Sequence, residues 1–190
     1  MISGRNLFKK AKPLIGLFGL LFYLLPRFFV VFLWDATSKY SQLPFIALRY
    51  LMLKRMCEGC GDNVRIGANV RILNWHNLKI GSNVSIHDYC YLDASGGISI
   101  GDNVSIAHAT SILSFEHTWD DQALPIKYNP TKPSSVVIKD DVWIGCGVLD
   151  LSDAEIKQRS IVSAGEVLMS SFDSNATTWV GMPAKVVKNI

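Results

Sequence analysis

The sequence predicts a mainly β fold, a chain wound into a three-sided prism of short parallel strands and preceded by α-helices. Three observations predict it. An apolar residue recurs at every sixth position, a longer motif recurs every twenty, and the basic residues gather at one end of the 190-residue chain. A hydrophobic content of 49% excludes a disordered chain, and 14 glycines exclude a collagen-like one.

The repeat begins at Cys60. Cys60-Gly61-Asp62-Asn63-Val64-Arg65 is echoed by Ile80-Gly81-Ser82-Asn83-Val84-Ser85 and again by Ile100-Gly101-Asp102-Asn103-Val104-Ser105. Within each period the leading positions are apolar: Cys60, Ile66 and Ile72, then Ile80, Ile86 and Leu92, then Ile100, Ile106 and Ile112. A six-residue spacing suits neither a helix of period 3.6 nor one long strand. It suits a coil that turns a corner every six residues and points its isoleucines inward, the hexapeptide type of parallel β-helix, with about 18 residues per turn. Each period therefore carries two surplus residues, expected to bulge at a corner near Gly96-Gly97.

The net charge of +3 is the sum of two unlike parts. Residues 1–56 hold nine Lys/Arg and one acid, Asp35, whereas residues 57–190 hold ten Lys/Arg and fifteen acids. Residues 1–56 also hold eleven of the twenty aromatics. The apolar run from Leu14 to Trp34 has the length of a membrane span, but Pro26 removes a helix hydrogen bond and Arg27 is costly in hydrocarbon. Helical pieces over Leu14–Leu25, Arg27–Trp34 and Leu43–Met56 are expected instead. Lys9, Lys10 and Lys12 before an apolar stretch imitate a secretion leader, yet Pro26-Arg27-Phe28-Phe29 stands where a small-x-small cleavage site is needed. Secretion is rejected. These helices either pack on the rest of the protein or a sister subunit, or lie on the cytoplasmic face of a membrane.

The register stops after Ile112 and resumes at Ile138-Lys139-Asp140-Asp141-Val142-Trp143. The insertion, about 118–136, contains Pro125, Pro130 and Pro133 and reads as a loop expelled from the prism, where a site would be built. His117 stands at its mouth, and an imidazole titrating near neutrality suits a general base. A solvated or structural histidine is the commoner case, and His76, His87 and His108 take that reading. Of these, His87 and His108 stand where they could approach a cleft between coils.

The Ile-Gly-Asp-Asn-Val repeat, His117 seventeen residues past Ile100, Asp141-Val142-Trp143-Ile144-Gly145 and Gly181-Met182-Pro183-Ala184-Lys185-Val186-Val187-Lys188 together resemble the hexapeptide-repeat O-acetyltransferases. Relatives of that kind include maltose and galactoside acetyltransferases and, more closely, enzymes of capsule, exopolysaccharide and O-antigen synthesis. The resemblance covers 57–190, about seventy per cent of the chain, and implies a left-handed parallel β-helix acyltransferase domain. It implies a homotrimer with active sites between subunits, acetyl-CoA as co-substrate, and a sugar hydroxyl of a bacterial surface polysaccharide or its precursor as acceptor. His117 matches the catalytic base, with Glu116 or a main-chain carbonyl orienting it. Trp143 matches the tryptophan lining the CoA channel. Cys146, Ala164, Lys185 and Lys188 match positions beside the pantetheine arm or the nucleotide phosphates, although without the resemblance the lysines read as a solvated basic tail. A cytoplasmic enzyme follows, with residues 1–56 as a possible peripheral contact at the inner membrane.

The chain departs from that pattern after Val148. Asp150 falls where Ile72, Leu92 and Ile112 fall, Lys157 takes a corner position usually held by Gly, and Met169-Ser170 replaces a Thr-Lys pair. A slipped register placing Asp150 outward, a specialised pocket and eroded activity compete as explanations. The reading adopted is a slipped or distorted coil that keeps activity. No metal is expected: Cys57 and Cys60 form one C-x-x-C with no second pair or suitably spaced histidine, and free thiols are the better reading. The three-histidine zinc pattern of β-helix carbonic anhydrases is not reproduced either. Nucleic acid is not expected, since the basic part is apolar and the repeat is acidic. Two alternatives remain: a non-catalytic scaffold in a polysaccharide-synthesis complex, and an N-acyl or serine acyltransferase on the same fold.

Overall fold

The computed structural model describes residues 4–150, 153–168, 175, 177–181 and 185–189. Three helices come first: α1 (Gly4–Leu24), α2 (Arg27–Thr37) and α3 (Leu43–Met56). The break between α1 and α2 falls at Pro26, which lacks an N–H to donate. Pro13, in contrast, is accommodated within α1.

The repeat then forms coils of three short strands. Coil 1 is β1 (Gly59–Cys60), β2 (Arg65–Ile66) and β3 (Arg71–Leu73); coil 2 is β4 (Leu78–Ile80), β5 (Ser85–Ile86) and β6 (Tyr91–Asp93). Coil 3 is β7 (Ile98–Ile100), β8 (Ser105–Ile106) and β9 (Ser111–Leu113), followed by an excursion containing β10 (Phe115–His117) and β11 (Thr131–Pro133). Coil 4 is β12 (Val136–Ile138), β13 (Trp143–Ile144) and β14 (Leu149–Asp150); coil 5 is β15 (Glu155–Ile156), β16 (Ile161–Val162) and β17 (Val167–Leu168). β18 (Thr177–Val180) continues the stack and β19 (Lys185–Asn189) folds back antiparallel to it.

Strands in the same place of each coil pair in parallel and make three faces: β1-β4-β7-β12-β15, β2-β5-β8-β13-β16-β18-β19, and β3-β6-β9-β14-β17. The predicted inward column is present. Ile66, Ile86, Ile106, Ile144 and Val162 stack along the second face with at most 1% exposure. Truncating one of them, as in Ile106→Ala, costs about 2–5 kcal/mol in lost transfer energy and a cavity.

Corners carry left-handed backbone, at Tyr89, Ala109 and Arg159 as well as at asparagines. Asn63, Asn83 and Asn103 have φ of 56°, 59° and 57° at equivalent corners, and asparagine is among the few residues that adopt this conformation readily. Glycine before them has a different cause. A Cβ on Gly101 would collide with the Asp140 carboxylate, which reaches over from the next coil to accept the Asp102 N–H at 2.7 Å. Lys139 and Lys157 take the same corner in coils 4 and 5, where among the described residues no aspartate leans over them, and both ammonium groups bind Glu155 (3.2 Å and 2.6 Å).

The slipped register expected after Val148 is absent. Leu149 pairs with Ser111 and Val167, and Asp150 pairs with Ile112 and Leu168, in step with the earlier coils. Main-chain bonds from Ser111 N to Val148 O and from Leu149 N to Glu166 O, both 2.9 Å, hold the backbone whatever side chain follows. The Asp150 side chain, Met169 and Ser170 lie outside the described residues.

The helices close the first end of the prism. Tyr50, Leu51, Met52, Leu53 and Met56 of α3 are buried, and the hydrophobic core runs without interruption from them into coil 1. Arg49, also buried, donates from Nε to Ile66 O (3.0 Å) and from a terminal nitrogen to Tyr40 O (2.9 Å); burial lowers its pKa from the usual value. Trp34 of α2 packs edge-on against Trp75, with centroids 4.7 Å apart, and donates to Val70 O at 3.0 Å. Covering the first coil in this way removes an open sheet edge.

Candidate active site

The two surplus residues of coils 1 and 2 and the large excursion leave the prism at one corner, where the third face meets the first. The chain spends Asn74–Asn77 there in coil 1 and Ala94–Gly97 in coil 2. In coil 3 it departs at Ser114 and re-enters at Val136. The expelled segment is more ordered at its root than its sequence suggests: β10 and β11 pair antiparallel, so the excursion starts as a hairpin at Phe115.

Ser114 anchors that hairpin. Fully buried, it donates from N (3.1 Å) and Oγ (2.7 Å) to Asp93 O; its Oγ accepts Gly96 N at 2.9 Å and its carbonyl accepts Ser134 N at 3.0 Å. Asp93, only 7% exposed, accepts Asn74 Nδ2 (2.8 Å) and Ser95 N (3.1 Å) through Oδ1. Further out, Thr118 donates twice to Pro130 O, and buried Asn129 holds the loop by accepting Asp121 N (3.0 Å) and donating to Asp121 O (3.1 Å). Sequence reasoning missed Ser114, Asp93 and Asn129. One signal was available for Asp93, which sits in register with Leu73 and Leu113 and is the polar member of that column.

His117 ends the outgoing strand opposite Thr131, exposed to solvent, with its ring edge-on to Phe115 at 6.0 Å. Glu116 is also exposed and lies opposite Lys132. Successive side chains of a strand point to opposite faces, and among the described residues no hydrogen bond joins Glu116 to His117. Beyond them the loop presents Trp119, Ile126 and Tyr128 to solvent, each at least 66% exposed.

The residues matched to CoA binding gather elsewhere. Trp143 on β13 stands outward on the second face at 48% exposure, between Ser105 and Ile161. With Asn103, Asp141 and Arg159 it lines a hollow of about 400 Å³, where Arg159 approaches Asp141 at 3.7 Å. Lys185 and Lys188 are exposed on β19, at the rim of the same face. Cys146 and Ala164 stack at the corner between the second and third faces, joined through Gly165 N to Cys146 O at 2.8 Å. His87 and His108 are exposed at that corner in coils 2 and 3.

In a three-sided prism the second face lies opposite the corner between the third and first. His117 and Trp143 of one chain are therefore on opposite sides of the molecule. The hollow beside Trp143 does not include His117.

Cys57, Cys60, Cys90 and Cys146 are free thiols. Burial pushes the Cys57 thiol up, and it pushes the Cys60 thiol up to about 12 against the opposing charge of Lys54. Thiols so reluctant to ionise are poor metal ligands. Among the described residues no group of three or more His, Cys, Asp or Glu is placed to hold a metal ion.

No family model matches the chain. A probable acetyltransferase of Mycobacterium tuberculosis is 38% identical over 92 residues, which is 48% of this chain and 30% of that one. The chain spans less than half the length of the curated relatives it matches. Among solved structures, a maltose O-acetyltransferase from Clostridium difficile superposes with a TM-score of 0.75 at 25% identity, covering 86% of each chain. A hexapeptide-repeat acetyltransferase from Vibrio cholerae, complexed with acetyl coenzyme A, gives 0.74 at 23%, covering 84% of each. An N-acyltransferase from Bacillus cereus, in complex with dTDP-4-amino-4,6-dideoxyglucose and coenzyme A, gives 0.58 at 24%, covering 72% of this chain and 86% of that one. The twenty-residue repeat and the three-faced parallel solenoid thus give the chain the fold that these hexapeptide-repeat acetyltransferase structures share.

Proposed function

We propose that residues 57–190 transfer an acetyl group from acetyl-CoA to a sugar hydroxyl of a bacterial surface polysaccharide or its precursor. The observation that carries this reading is the position of His117, an exposed imidazole at the end of a hairpin rooted by buried hydrogen bonds. His117 removes the proton of the acceptor hydroxyl, and the oxygen attacks the thioester carbonyl. The tetrahedral oxyanion, held by main-chain N–H groups, collapses with cleavage of the C–S bond, and the imidazolium returns its proton to the departing CoA sulfur. Since Glu116 makes no bond to His117, a main-chain carbonyl is the better orienting group.

Acetyl-CoA lies along the second face in this proposal, with Trp143 against the pantetheine arm, Cys146 and Ala164 at its corner, and Lys185 and Lys188 meeting the phosphates. His117 is on the far side of its own prism, so the catalytic unit combines the hairpin of one subunit with the second face of another. A homotrimer supplies three such junctions, and the apolar loop tip around Trp119, Ile126 and Tyr128 is suited to reach a neighbour. The enzyme works on the cytoplasmic side, where acetyl-CoA is made, with residues 1–56 as its contact with the inner membrane.

The test is release of CoA thiol by the full chain with acetyl-CoA and a panel of sugars. Replacing His117 by alanine is expected to lower turnover about 10²–10⁴-fold with folding intact. Unchanged turnover would remove His117 from the mechanism, and no turnover with any acceptor would favour a scaffold. A second reading, N-acylation of an amino sugar, is favoured by the likeness to the Bacillus cereus N-acyltransferase. Amino sugars in the panel separate the two.

A further inference from the structure

Helix α1 is apolar on two sides, and the protein uses one. Phe8, Ile15, Gly19 and Phe22 face inward, with Phe8 edge-on to Tyr50 of α3 at 5.4 Å and Gly19 against Leu51. Leu17, Leu20 and Leu24, spaced three and four residues apart, form a second stripe on the opposite side at 66%, 67% and 79% exposure. Past the Pro26 elbow, α2 also presents apolar side chains, Phe28 and Phe32 at 76% and 63% exposure, while Val30 and Trp34 anchor its other side to coil 1. No helix among the described residues is long and apolar enough to cross a membrane.

Charge identifies what covers this surface. α1 contains no acid, Lys9 and Lys10 are exposed to either side of its outer stripe, and Arg27 is exposed at the elbow. Lys12 is engaged by Asp62 and belongs to the inward side. A second copy would set two basic helices against each other, and a nucleic acid has no use for five large apolar side chains. An anionic bilayer satisfies both features, taking the apolar side chains below its headgroups and the cations among them.

We infer that the outer faces of α1 and the start of α2 lie in the surface of an anionic phospholipid membrane, with Leu20, Leu24, Phe28 and Phe32 as the inserted side chains. This rests on the reading of residues 1–56 as an attachment segment and deepens it. Because α3 and α2 are rooted in coil 1, the helix-capped end of the prism is the end held at the membrane.

The experiment is co-sedimentation of the full chain with phosphatidylcholine vesicles, with and without phosphatidylglycerol. Binding is expected to require phosphatidylglycerol. Leu24→Gln with Phe28→Gln should weaken it about tenfold or more, and Lys9→Gln with Lys10→Gln about fivefold for each charge removed. Both pairs are on the surface, so thermal unfolding and turnover of a soluble acceptor should be unchanged. Equal binding by the apolar double variant would overturn the inference. So would a change in its oligomeric mass, which would assign the stripe to another copy. An inactive chain that still sediments only with anionic vesicles would overturn the transferase reading and support this one.

Discussion

The carboxylate of Asp140 accepts the main-chain N–H of Asp102 at 2.7 Å, although thirty-eight residues separate them in sequence. The same bond joins Asp102 to Ser82 at 2.6 Å across one uninterrupted coil. The excursion between Ser114 and Val136 thus leaves the stacking of the prism untouched. A loop that costs the scaffold nothing is free to carry chemistry.

That bond explains why Gly101 is glycine, and it is testable. Gly101→Ala forces a Cβ onto the Asp140 carboxylate and the Lys139 carbonyl carbon, and should destabilise the protein by about 1–3 kcal/mol. Lys157→Gly, at the equivalent corner of coil 5, removes the ion pair to Glu155 and should cost well under that. Urea unfolding of the two variants checks the contrast.

Ser114 roots the hairpin, and Ser114→Ala strands the Gly96 N–H beneath it. We expect a loss of about 1–3 kcal/mol. Because His117 stands three residues further on, turnover should fall more than acetyl-CoA affinity does. Comparing kcat with KM for acetyl-CoA separates a displaced base from a damaged CoA site.

Asp62 clasps α1 to the prism through Lys12 and α3 through Lys54, the latter at 3.5 Å. The hydrogen bond from Lys12 holds its carboxyl below the ordinary value despite some desolvation. A depressed folded-state pKa gives stability that is present above the unfolded value of about 4 and lost as pH falls through the folded one. Hydrogen exchange in α1 should therefore rise on acidification below about pH 4, and Asp62→Asn should produce the same rise at pH 7. Raised salt should weaken the clasp at neutral pH, since the pair is exposed.

Cysteine labelling tests where acetyl-CoA lies. Burial raises the thiols of Cys57, Cys60 and Cys90, the last to about 11, so all three should react slowly with maleimide in the native protein. Cys146 is half-buried at a corner of the second face, and acetyl-CoA should slow its labelling without affecting the others. Equal labelling of Cys146 with and without acetyl-CoA would place the co-substrate elsewhere.

Much of the prism was legible because its period is covalent. Ile66, Ile86 and Ile106 are twenty residues apart in sequence and one strand apart in space, so counting residues is the same operation as stacking coils. Counting failed at Asp150, where a polar residue in an inward position suggested a slip; the main chain on either side kept its partners regardless. The hairpin root was not legible either. Ser114, Asp93 and Asn129 matter through hydrogen bonds that join residues with no common spacing.

By itself, the sequence determined the coil period, the inward columns, the corner residues, the helix break at Pro26 and the place where the repeat is interrupted. These follow from local rules: alternation, backbone conformation at Asn and Gly, and the missing N–H of proline. Only the tertiary structure decided that His117 and Trp143 stand on opposite sides of one prism, and that α1 buries one apolar stripe and leaves another in solvent. Those facts depend on how three faces close around a core and on which side of a helix meets a neighbour, and no local spacing encodes either.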